Sequence, residues 1–531
     1  MTSCRPVWLV GATTGLLSVA LALSACALAP RGRPDTAAAA ASGVTGVTGT
    51  TGATATAAPS ARSVAAGLSV VGRNGRLNPA ERTRLLQRLG AQGDAPLVQR
   101  HLLALQTLGT LDLYAGNETL LLEDGPSTYA AMFAAIGQAR RSVLLESYII
   151  DSAETAQRLA ALLATKRAEG VTVAVIYDGL GSLGTDPAFF NGLRQTGVAV
   201  CEFNPLNPIK TAAPLAGSPG AAQVAAGAAP AASAPGWDPA HRDHRKLLVI
   251  DREVGFIGGI NISAVYTSGS FAHRLRRPER AESGVDTGDG WRDTQVRLRG
   301  PAVAALDDLV RQTWQRQACA DELPAAPATA GAPKAGPGAA STLAGVAAGN
   351  QVVRIVPAGP DDPVNLIYAS LLTSIDVAQR SIYLTMAYFA PGQALVESLA
   401  EAARRGVDVQ LVLPSVSDFS PVLHAGRSHY QTLLNAGVKI HELQGVVLHA
   451  KTAVIDGVVS SVGSSNLDGR SLGANEEVNA AIIGDEFGQA MTRMFRRDVA
   501  ASKPITLADW QARPVLQRVK ERLAGWLERW W

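Results

Sequence analysis

Cysteine is scarce in this sequence, and so is any excess of charge of one sign. The 531 residues include four cysteines, at positions 4, 26, 201 and 319, which are too few for a disulfide framework to hold a fold of this size. The 48 basic and 45 acidic side chains give a formal charge of +3. A protein that binds nucleic acid without sequence preference needs a broad positive surface, which this balance does not provide. We therefore expect no nucleic-acid partner.

Apolar side chains, by contrast, are plentiful. They make up 47% of the sequence, against 18% for charged residues, which is enough for one large core or two domains. Three tracts rich in alanine, glycine, threonine or proline interrupt this composition, at 36–65, 211–236 and 321–349. Such tracts bury too little apolar surface to offset the entropy of ordering the chain. They predict a flexible tether, an inserted surface loop and a linker between two domains, in that order.

The first 25 residues have the layout of a secretory signal, with an arginine near the start, an apolar stretch and a small-residue cleavage site. The sequence LSAC at 23–26 resembles the lipobox of bacterial lipoproteins. That resemblance implies a diacylglycerol anchor on Cys26 and a place in the bacterial cell envelope, facing the periplasm, at either membrane. An uncleaved transmembrane anchor and a plain signal peptide are the alternatives. The sequence leaves open whether Cys201 and Cys319 pair.

Composition and spacing divide the chain into seven segments. A stretch that begins with Asn78 and Pro79 has helical apolar spacing and predicts one or two small helices before the catalytic region. The segments are a signal peptide (1–25), a lipidated N-terminus with a flexible tether (26–65), an N-terminal helical extension (66–119), a first half (120–320) with the insertion 211–236, a linker (321–349), a second half (350–500) and a tryptophan-rich amphipathic helix (501–531).

Between the low-complexity tracts, strand and helix patterns alternate. The runs VLLESYIID, VTVAVIYDG and KLLVID have strand length, and MFAAIGQARR and AQRLAALLATKRAEG have helical spacing. After residue 350 the same order recurs, with SIYLTMAYF, VDVQLVLP and KTAVID as strands. The pattern predicts an α/β fold that contains an internal repeat.

The repeat centres on a motif, H-x-K-x4-D, that occurs twice. Five positions of the first copy have counterparts 205 residues later: His244 and His449, Lys246 and Lys451, Asp251 and Asp456, Gly258 and Gly463, and Asn261 and Asn466. The chain has only eight histidines and eight lysines, so two such motifs with the same downstream spacing are a strong signal. The preceding strand starts, Ser142 and Ser381, are 239 residues apart, and the 211–236 insertion accounts for most of the difference.

The spacing of the motif suits phosphate chemistry. Alternate side chains of a strand share a face, so His244 and Lys246 enter one site while Arg245 points away from it, and His449 and Lys451 do the same. A histidine near neutrality attacks phosphorus or donates a proton, and a lysine beside it binds a phosphate oxygen. Two such units face to face predict a phosphodiester site that needs no metal, because the ammonium groups stabilise the transition-state charge.

Three further side chains, Asn261, Asn466 and Ser464, are predicted to add neutral donors to the phosphate site. The doubled motif, with its downstream glycine and asparagine, resembles the signature of the phospholipase D superfamily. The resemblance covers about residues 120–500. It implies two tandem α/β/α sandwich halves, related by a pseudo-twofold axis, with the active site at their seam. It implies neither a metal nor another cofactor.

By analogy with the family, the two histidines have different roles. His244 would be the nucleophile that forms a phosphohistidine, and His449 would protonate the departing alkoxide and then deprotonate the incoming alcohol or water. Because both rings face one phosphate, their titrations couple, and the sequence does not settle which one attacks. Asp251 and Asp456 would position strand and motif rather than transfer protons.

A catalytic base needs an orienting carboxylate on its other ring nitrogen. Glu477, 28 residues after His449 on the predicted next strand, stands where the family carries such a group. Asp293 is the candidate of the first half, although a loop at 267–290 displaces it from the repeat spacing. An ordinary acid at a strand edge is the alternative for both.

Several stretches are similar to the bacterial cardiolipin synthase branch of the superfamily, among them IYDGLGSLGT, HRDHRKLLVIDREVGFIGGINIS, MAYFAPG and GSSNLDGRSLGANEEVN. The implied reaction transfers a phosphatidyl group, through phosphohistidine, to the hydroxyl of a second phospholipid, with phosphatidylglycerol as donor and glycerol as product. A phospholipase D that uses water and makes phosphatidic acid is the alternative. A secreted phosphodiesterase or nuclease is disfavoured by the weak net charge.

The end of the chain favours a membrane surface as partner, in addition to the phospholipid substrates. The stretch DWQARPVLQRVKERLAGWLERWW contains four tryptophans among four arginines and one lysine at helical spacing. Tryptophan with cations favours the boundary between head groups and acyl chains. A terminal helix that packs its apolar stripe on the body is the alternative. Nothing in the sequence indicates the oligomeric state.

Overall fold

The structure, a computed structural model, describes residues 61–91, 94–109, 111–206, 238–268, 290–319, 323 and 349–528. Several predictions concern segments wholly or largely outside these residues: the signal peptide 1–25, the lipidated Cys26 with its tether 26–65, the insertion 211–236, the loop 267–290, the linker 321–349 and the last three residues with Trp530 and Trp531. In the described part of the chain, no helix combines the length and the apolar character needed to cross a bilayer.

A small helical segment precedes the first sheet. Its elements are α1 (Ala61–Gly67), β1 (Val70–Gly72), β2 (Gly75–Arg76), α2 (Pro79–Ala91) and α3 (Ala95–Gln106). The side chain of Asp94 caps α3 by accepting from the backbone N–H of Leu97. Buried leucines and valines of this segment pack with Val459 and Ile483 of the second half. The extension is thereby tied to the second half rather than standing free.

The described part of the first half contains nine strands, seven of which form one sheet. Its strands are β3 (Leu113–Leu122), β4 (Ser142–Ser147), β5 (Thr172–Asp178), β6 (Ala199–Phe203), β7 (Arg242–Asp243), β8 (Lys246–Ile250), β9 (Val254–Gly258), β10 (Trp291–Arg292) and β11 (Gln295–Arg299), and its helices are α4 (Gly125–Gly137), α5 (Glu154–Ala168), α6 (Pro187–Gln195) and α7 (Val303–Arg316). The sheet order is β3-β11-β9-β8-β4-β5-β6, with β4, β5 and β6 parallel and the other pairs antiparallel. This sheet begins at Leu113, before residue 120, because β3 pairs with β11.

The second half repeats this arrangement. Its strands are β12 (Gln351–Ala358), β13 (Ser381–Met386), β14 (Asp408–Pro414), β15 (Lys439–Leu443), β16 (Val447–Leu448), β17 (Lys451–Ile455), β18 (Val459–Gly463), β19 (Asn475–Ile483) and β20 (Ser502–Ile505), and its helices are α8 (Leu366–Val377), α9 (Gly392–Arg404), α10 (Ser420–Ser428), α11 (Tyr430–Asn435), α12 (Gly469–Gly473), α13 (Asp485–Ala500), α14 (Leu507–Ala512) and α15 (Val515–Trp526). The order β12-β19-β18-β17-β13-β14-β15 matches the first half, with β20 added antiparallel to β15.

The two sheets agree residue by residue. Val143 pairs with Ile250 in the first half, and their repeat counterparts Ile382 and Ile455 pair in the second. Antiparallel pairing of β3 with β12 joins the sheets. One core cluster contains side chains of both sheets together with α7 and α13, and two others lie beneath the outer helices of each half. The predicted fold of two α/β/α halves around a pseudo-twofold axis is therefore confirmed.

The C-terminal segment differs from its prediction. Residues 501–531 were expected to form one amphipathic helix, but the described part consists of β20, α14 and α15. Pro514 separates the two helices, because proline has no backbone N–H to continue a helix and holds the preceding Arg513 in an extended conformation.

Cys201 of β6 and Cys319, just after α7, form a disulfide that closes a sequence separation of 118 residues. We predict that the variant with both cysteines replaced by serine is less stable by about 2–4 kcal/mol, because the crosslink restricts the unfolded chain. Urea unfolding with and without reductant measures this. Reductant should lower the midpoint of the wild type and leave that of the double variant unchanged. Equal midpoints for oxidised wild type and double variant would contradict the prediction.

Candidate active site

Both motif histidines lie at the seam, because short strands of each half pair with the other half. β7 runs parallel to the start of β19, and β10 runs parallel to β16. These pairings lead directly into His244 and His449, whose backbone N–H groups donate to the carbonyls of Glu476 (3.0 Å) and Arg292 (2.8 Å), respectively. Each histidine is thus fixed by the half to which it does not belong.

The two candidate carboxylates also cross the seam. His244 Nδ1 lies 2.9 Å from Glu477 Oε1, and His449 Nδ1 lies 2.7 Å from Asp293 Oδ2. Both acids are fully buried, so neither is an ordinary acid at an exposed strand edge. A carboxylate on Nδ1 selects the tautomer with a proton on that nitrogen, which leaves the lone pair of Nε2 for chemistry.

The site keeps its imidazoles neutral. Burial lowers the pKa of His244 to about 4, with Lys246 and Lys451 acting in the same direction and Glu477 opposing them. Burial and the same two lysines also place the pKa of His449 well below its usual value. A neutral ring is what a nitrogen nucleophile or a general base requires, so both rings are available for either role at pH 7.

The two carboxylates are not equivalent. Burial would raise the pKa of Glu477, but His244 and a hydrogen bond from Ser464 lower it to about 2. Burial raises the pKa of Asp293 to about 6. Ser464 Oγ donates to Glu477 at 2.5 Å, whereas the repeat counterpart of Ser464 is Gly259, where a Cβ would come within 2.2 Å of the Asp293 carboxylate. The second half therefore supplies a permanently ionised partner, and the first half one that titrates near neutrality.

Two desolvated lysines complete the site. Lys246 and Lys451 are each 2% exposed, and each Nζ donates to the carbonyl of its own motif histidine. Burial lowers the pKa of Lys246 to about 7, and the charge of Lys451 adds to this effect. Burial also lowers the pKa of Lys451. Two cations held close together out of water favour an anion between them.

The predicted neutral donors have different surroundings. The single proton of the Ser464 hydroxyl goes to Glu477, so in this arrangement Ser464 orients the carboxylate instead of contacting phosphate. Asn261 accepts from the backbone N–H of Ile149 (3.1 Å) and donates to the hydroxyl of Tyr266 (3.1 Å). The buried Oδ1 of Asn466 has no hydrogen-bond partner among the described residues. A phosphate role for the two asparagines stays a prediction.

The motif aspartates lie at the far end of their strands. Asp251 and Asp456 follow β8 and β17 with left-handed φ angles of 55° and 54°, about 17 Å along the strand from the motif lysines. Each carboxylate accepts backbone N–H groups at the start of the neighbouring strand, from residues 140–142 and 379–381. Asp456 also contacts the buried His101 of α3 at 3.0 Å. They position the strands, and this distance excludes direct contact with a phosphate held by the lysines.

Arg245, between His244 and Lys246, points away from the site, yet it is buried. Its guanidinium forms ion pairs with Glu146 at 3.3 Å and with Glu476 of the second half. This pair ties the halves together beside His244. The sequence carried no signal for it, because the repeat counterpart of Arg245 is an alanine.

Sequence reasoning also missed three aromatic residues around the histidines. The ring of Tyr148 meets the ring of His244 edge-on with centroids 4.9 Å apart, and the rings of Trp291 and His449 are 5.0 Å apart. The Tyr266 hydroxyl lies 3.2 Å from His449 Nδ1. Tyr148 and Tyr266 have an alanine and a serine at their repeat positions, so a comparison of the two motifs does not single them out.

Comparisons with known proteins show the family of the chain. A family model described as "Cardiolipin synthase, PLD-like domain" matches residues 371–499. The chain is 31% identical over 428 residues to a cardiolipin synthase of Geobacillus thermodenitrificans (strain NG80-2), covering 80% of this chain and 75% of the relative. It is 30% identical over 425 residues to cardiolipin synthase A of Pseudomonas fluorescens (strain SBW25), covering 79% and 76%.

Among solved structures, the phosphatidylserine synthase of Haemophilus influenzae Rd KW20 matches with a TM-score of 0.53. The match covers 80% of this chain and 98% of the other, at 13% sequence identity. At that identity the likeness concerns the fold alone.

Proposed function

Since the chain belongs to the cardiolipin synthase branch of the phospholipase D superfamily and is a phosphatidyltransferase, we propose that it joins two molecules of phosphatidylglycerol to give cardiolipin and glycerol. The observation that carries the proposal is the pair of buried histidines, each held by a carboxylate of the opposite half, beside two desolvated lysines. Such a site binds one phosphodiester between two imidazoles and needs a nucleophile and an acid on opposite sides of the phosphorus.

In the first step, His244 Nε2 attacks phosphorus and the bond from phosphorus to the glycerol oxygen breaks. His449 donates its Nε2 proton to the departing alkoxide. The negative charge of the bound diester raises the pKa of His449 against the effects of burial and the two lysines, and Asp293 stabilises the imidazolium. The permanently ionised Glu477 suits the ring that carries the phosphatidyl group, because that ring stays cationic throughout the life of the intermediate.

In the second step, a hydroxyl of the second phosphatidylglycerol replaces the departed glycerol. His449, now neutral, takes the hydroxyl proton, the oxygen attacks phosphorus and the nitrogen–phosphorus bond to His244 breaks. Lys246 and Lys451 stabilise the charge on the equatorial oxygens in both steps. Water at the acceptor position would give phosphatidic acid from the same intermediate.

Product analysis tests the proposal. Purified protein is incubated with phosphatidylglycerol liposomes, with and without phosphatidylethanolamine, and the products are resolved by mass spectrometry. Cardiolipin and glycerol in equal amounts support the synthase. Phosphatidic acid alone would show that water is the acceptor and would overturn the proposal. Failure to convert any phospholipid would overturn it as well.

The rate should depend on the protonation of Lys246. We predict that kcat/KM for a short-chain, soluble phosphatidylglycerol falls as the pH rises above about 7, approaching tenfold per pH unit, because the free enzyme loses the cation that binds the phosphate. A pH profile measures this. In Lys246→Arg, the residual activity should lack this decline, since arginine stays charged. A wild-type kcat/KM that stays constant to pH 9 would contradict the prediction.

We propose further that the enzyme works on a membrane surface, to which α15 docks. The inner face of α15 packs closely on α10, since a Cβ at Gly525 would come within 2.5 Å of Ser428 Oγ. Glu521 and Ala524 are buried in this contact. The outer face carries five apolar side chains that are 45–71% exposed: Val515, Leu516, Val519, Leu523 and Trp526. Arg518, Lys520 and Arg522 stand between them, as suits an anionic bilayer.

Glutamate at Leu523 and Trp526 should weaken binding to phosphatidylglycerol vesicles at least tenfold, because each apolar side chain contributes about 1.5–3 kcal/mol when it enters the bilayer boundary. Vesicle sedimentation measures this. Leu183→Glu, at a leucine that is 66% exposed in the first half, is the matched control and should bind as the wild type does. Equal binding of all three proteins would count against a docking role for α15.

We propose that the protein resides in the bacterial cell envelope, anchored through lipid on Cys26 and facing the periplasm. The disulfide between Cys201 and Cys319 supports this, since such bonds form and persist in oxidising compartments. Alkylation of intact cells followed by mass spectrometry tests it. Thiols at positions 201 and 319 that react without prior reduction would argue for a reducing compartment.

A further inference from the structure

The second half contains an apolar cavity beside the catalytic Lys451. The space measures about 630 Å³ when the open solvent at its mouth is included. Its lining comes mainly from β17, β18, β19 and α8, with Leu105 of α3. Most of the lining is apolar, and Lys451 is its only charged residue among those described.

The cavity exists because small residues stand where the first half has large ones. In the first half, Leu248 of β8 and Phe256 of β9 are direct cross-strand partners and fully buried. Their repeat counterparts, Ala453 and Ser461, are partners in the same register in β17 and β18, and both line the cavity.

Two further positions beside this pair also carry small residues in the second half. Ser461 pairs with Ala481 of β19, whereas Phe256 pairs with Arg297. Ser465 occupies the repeat position of a buried isoleucine in the first half and also lines the cavity. The loss of volume is therefore concentrated in one row of the sheet, which begins next to Lys451.

An unfilled row of this kind is costly. Replacing a buried leucine or phenylalanine by alanine destabilises a protein, in part because of the cavity that remains. The first half shows that this fold accepts leucine and phenylalanine at these positions. Apolar cavities exclude water and bind apolar molecules. The space beside Lys451 is thus suited to an apolar ligand that is attached to a phosphate.

We infer that this cavity binds one acyl chain of the phospholipid whose phosphate is held by Lys246 and Lys451. The inference rests on the proposed function, since it assumes a phospholipid at the catalytic lysines. Lys451 borders both the phosphate site and the cavity, so head group and chain occupy adjoining spaces. The first half carries leucine and phenylalanine at the repeat positions of Ala453 and Ser461, so the two halves differ in the room beside their catalytic lysines.

The test replaces residues of the second half by those at the repeat positions of the first half. In Ala453→Leu/Ser461→Phe the cavity is filled, and we expect the ratio of kcat/KM for dioleoyl phosphatidylglycerol in mixed micelles to that for soluble dihexanoyl phosphatidylglycerol to fall at least tenfold. Ser370→Phe fills the same space from α8, at a position that is only partly buried, and guards against misfolding of the double variant. Thermal unfolding checks that each variant is folded.

A binding measurement separates this inference from the proposed function. Oleoyl lysophosphatidylglycerol, a single-chain lipid, should raise the Tm of the wild type and not that of the filled variants. This outcome supports the cavity even where the reaction product is phosphatidic acid instead of cardiolipin. An unchanged chain-length ratio and an unchanged Tm shift in folded filled variants would overturn the inference while cardiolipin formation by the wild type still stands.

Discussion

Alanine at His244 or at His449 is expected to lower the rate of cardiolipin formation by about 10³-fold or more, and only His244→Ala should abolish the covalent intermediate. His244 supplies the nucleophile, without which no nitrogen–phosphorus bond forms. His449 supplies acid and base catalysis, which is worth about 10²–10⁴-fold. In His449→Ala a phosphatidylglycerol molecule still meets the nucleophile, so a small fraction of the protein should carry a phosphatidyl group.

The measurement combines steady-state rates with intact-protein mass spectrometry after an alkaline quench, because phosphohistidine is labile in acid. His441→Ala, on the strand β15, is the control; its ring forms a hydrogen bond with Gln410, away from the active site, and should be dispensable. Because the two catalytic histidines act as a unit, the double variant should be little slower than either single variant. A phosphatidyl adduct on His449 in the His244→Ala protein would reverse the assigned roles.

The repeat was predictable from the sequence because it appears in the order of residue types. His244 and His449, with the lysine and aspartate that follow each of them, keep the same spacing, and β-strand alternation then places histidine and lysine together. Glu477 was predicted from its place on the next strand and from the resemblance to the family, which carries a carboxylate there. The order of residues records the motif repeat and the strand alternation directly.

Contacts between the halves were not predictable in this way. Asp293 and Glu477 are equivalent in the sheets, since Gln295 pairs with Gly258 where Asn479 pairs with Gly463. The loop at 267–290 changes the spacing and hides this equivalence in the sequence. Each carboxylate holds the histidine of the other half because β7 pairs with β19 and β10 pairs with β16. Pairing between distant strands leaves no periodic pattern in the sequence.

The roles of some buried polar and small residues were also not predictable from the sequence. Arg245 points away from the site as predicted, but strand alternation gives no sign that it is buried in an ion pair with Glu476. Ala453 and Ser461 carry no signal by themselves; only alignment in the register of the first-half strands shows that they replace a leucine and a phenylalanine. Residues with different roles in the two halves can therefore be identified once the strand pairing shows which positions are equivalent.

The carboxylates of the two halves, Glu477 and Asp293, differ in pKa and should differ in their effect on the rate. Glu477→Gln and Asp293→Asn should each lower kcat by about 10²–10⁴-fold at pH 8, because an amide can donate to Nδ1 and so favours the tautomer with a proton on Nε2. The reason for choosing pH 8 is that both acids are ionised there in the wild type, with pKa values of about 2 for Glu477 and about 6 for Asp293.

The pH dependence of the two losses should differ. Below pH 6 the Asp293 carboxyl of the wild type takes up a proton, so the ratio of wild-type to Asp293→Asn rates should shrink as the pH falls from 8 to 5. The ratio for Glu477→Gln should stay constant over this range, because Glu477 remains ionised. In Ser464→Ala, Glu477 loses a hydrogen bond that lowers its pKa. Its carboxyl should therefore take up a proton at a higher pH, and the rate of this variant should begin to fall at a higher pH than that of the wild type. Equal pH dependence of both ratios would mean that the serine and glycine at this position do not set the two carboxylates apart, and the assignment of nucleophile and acid would then lose its electrostatic support.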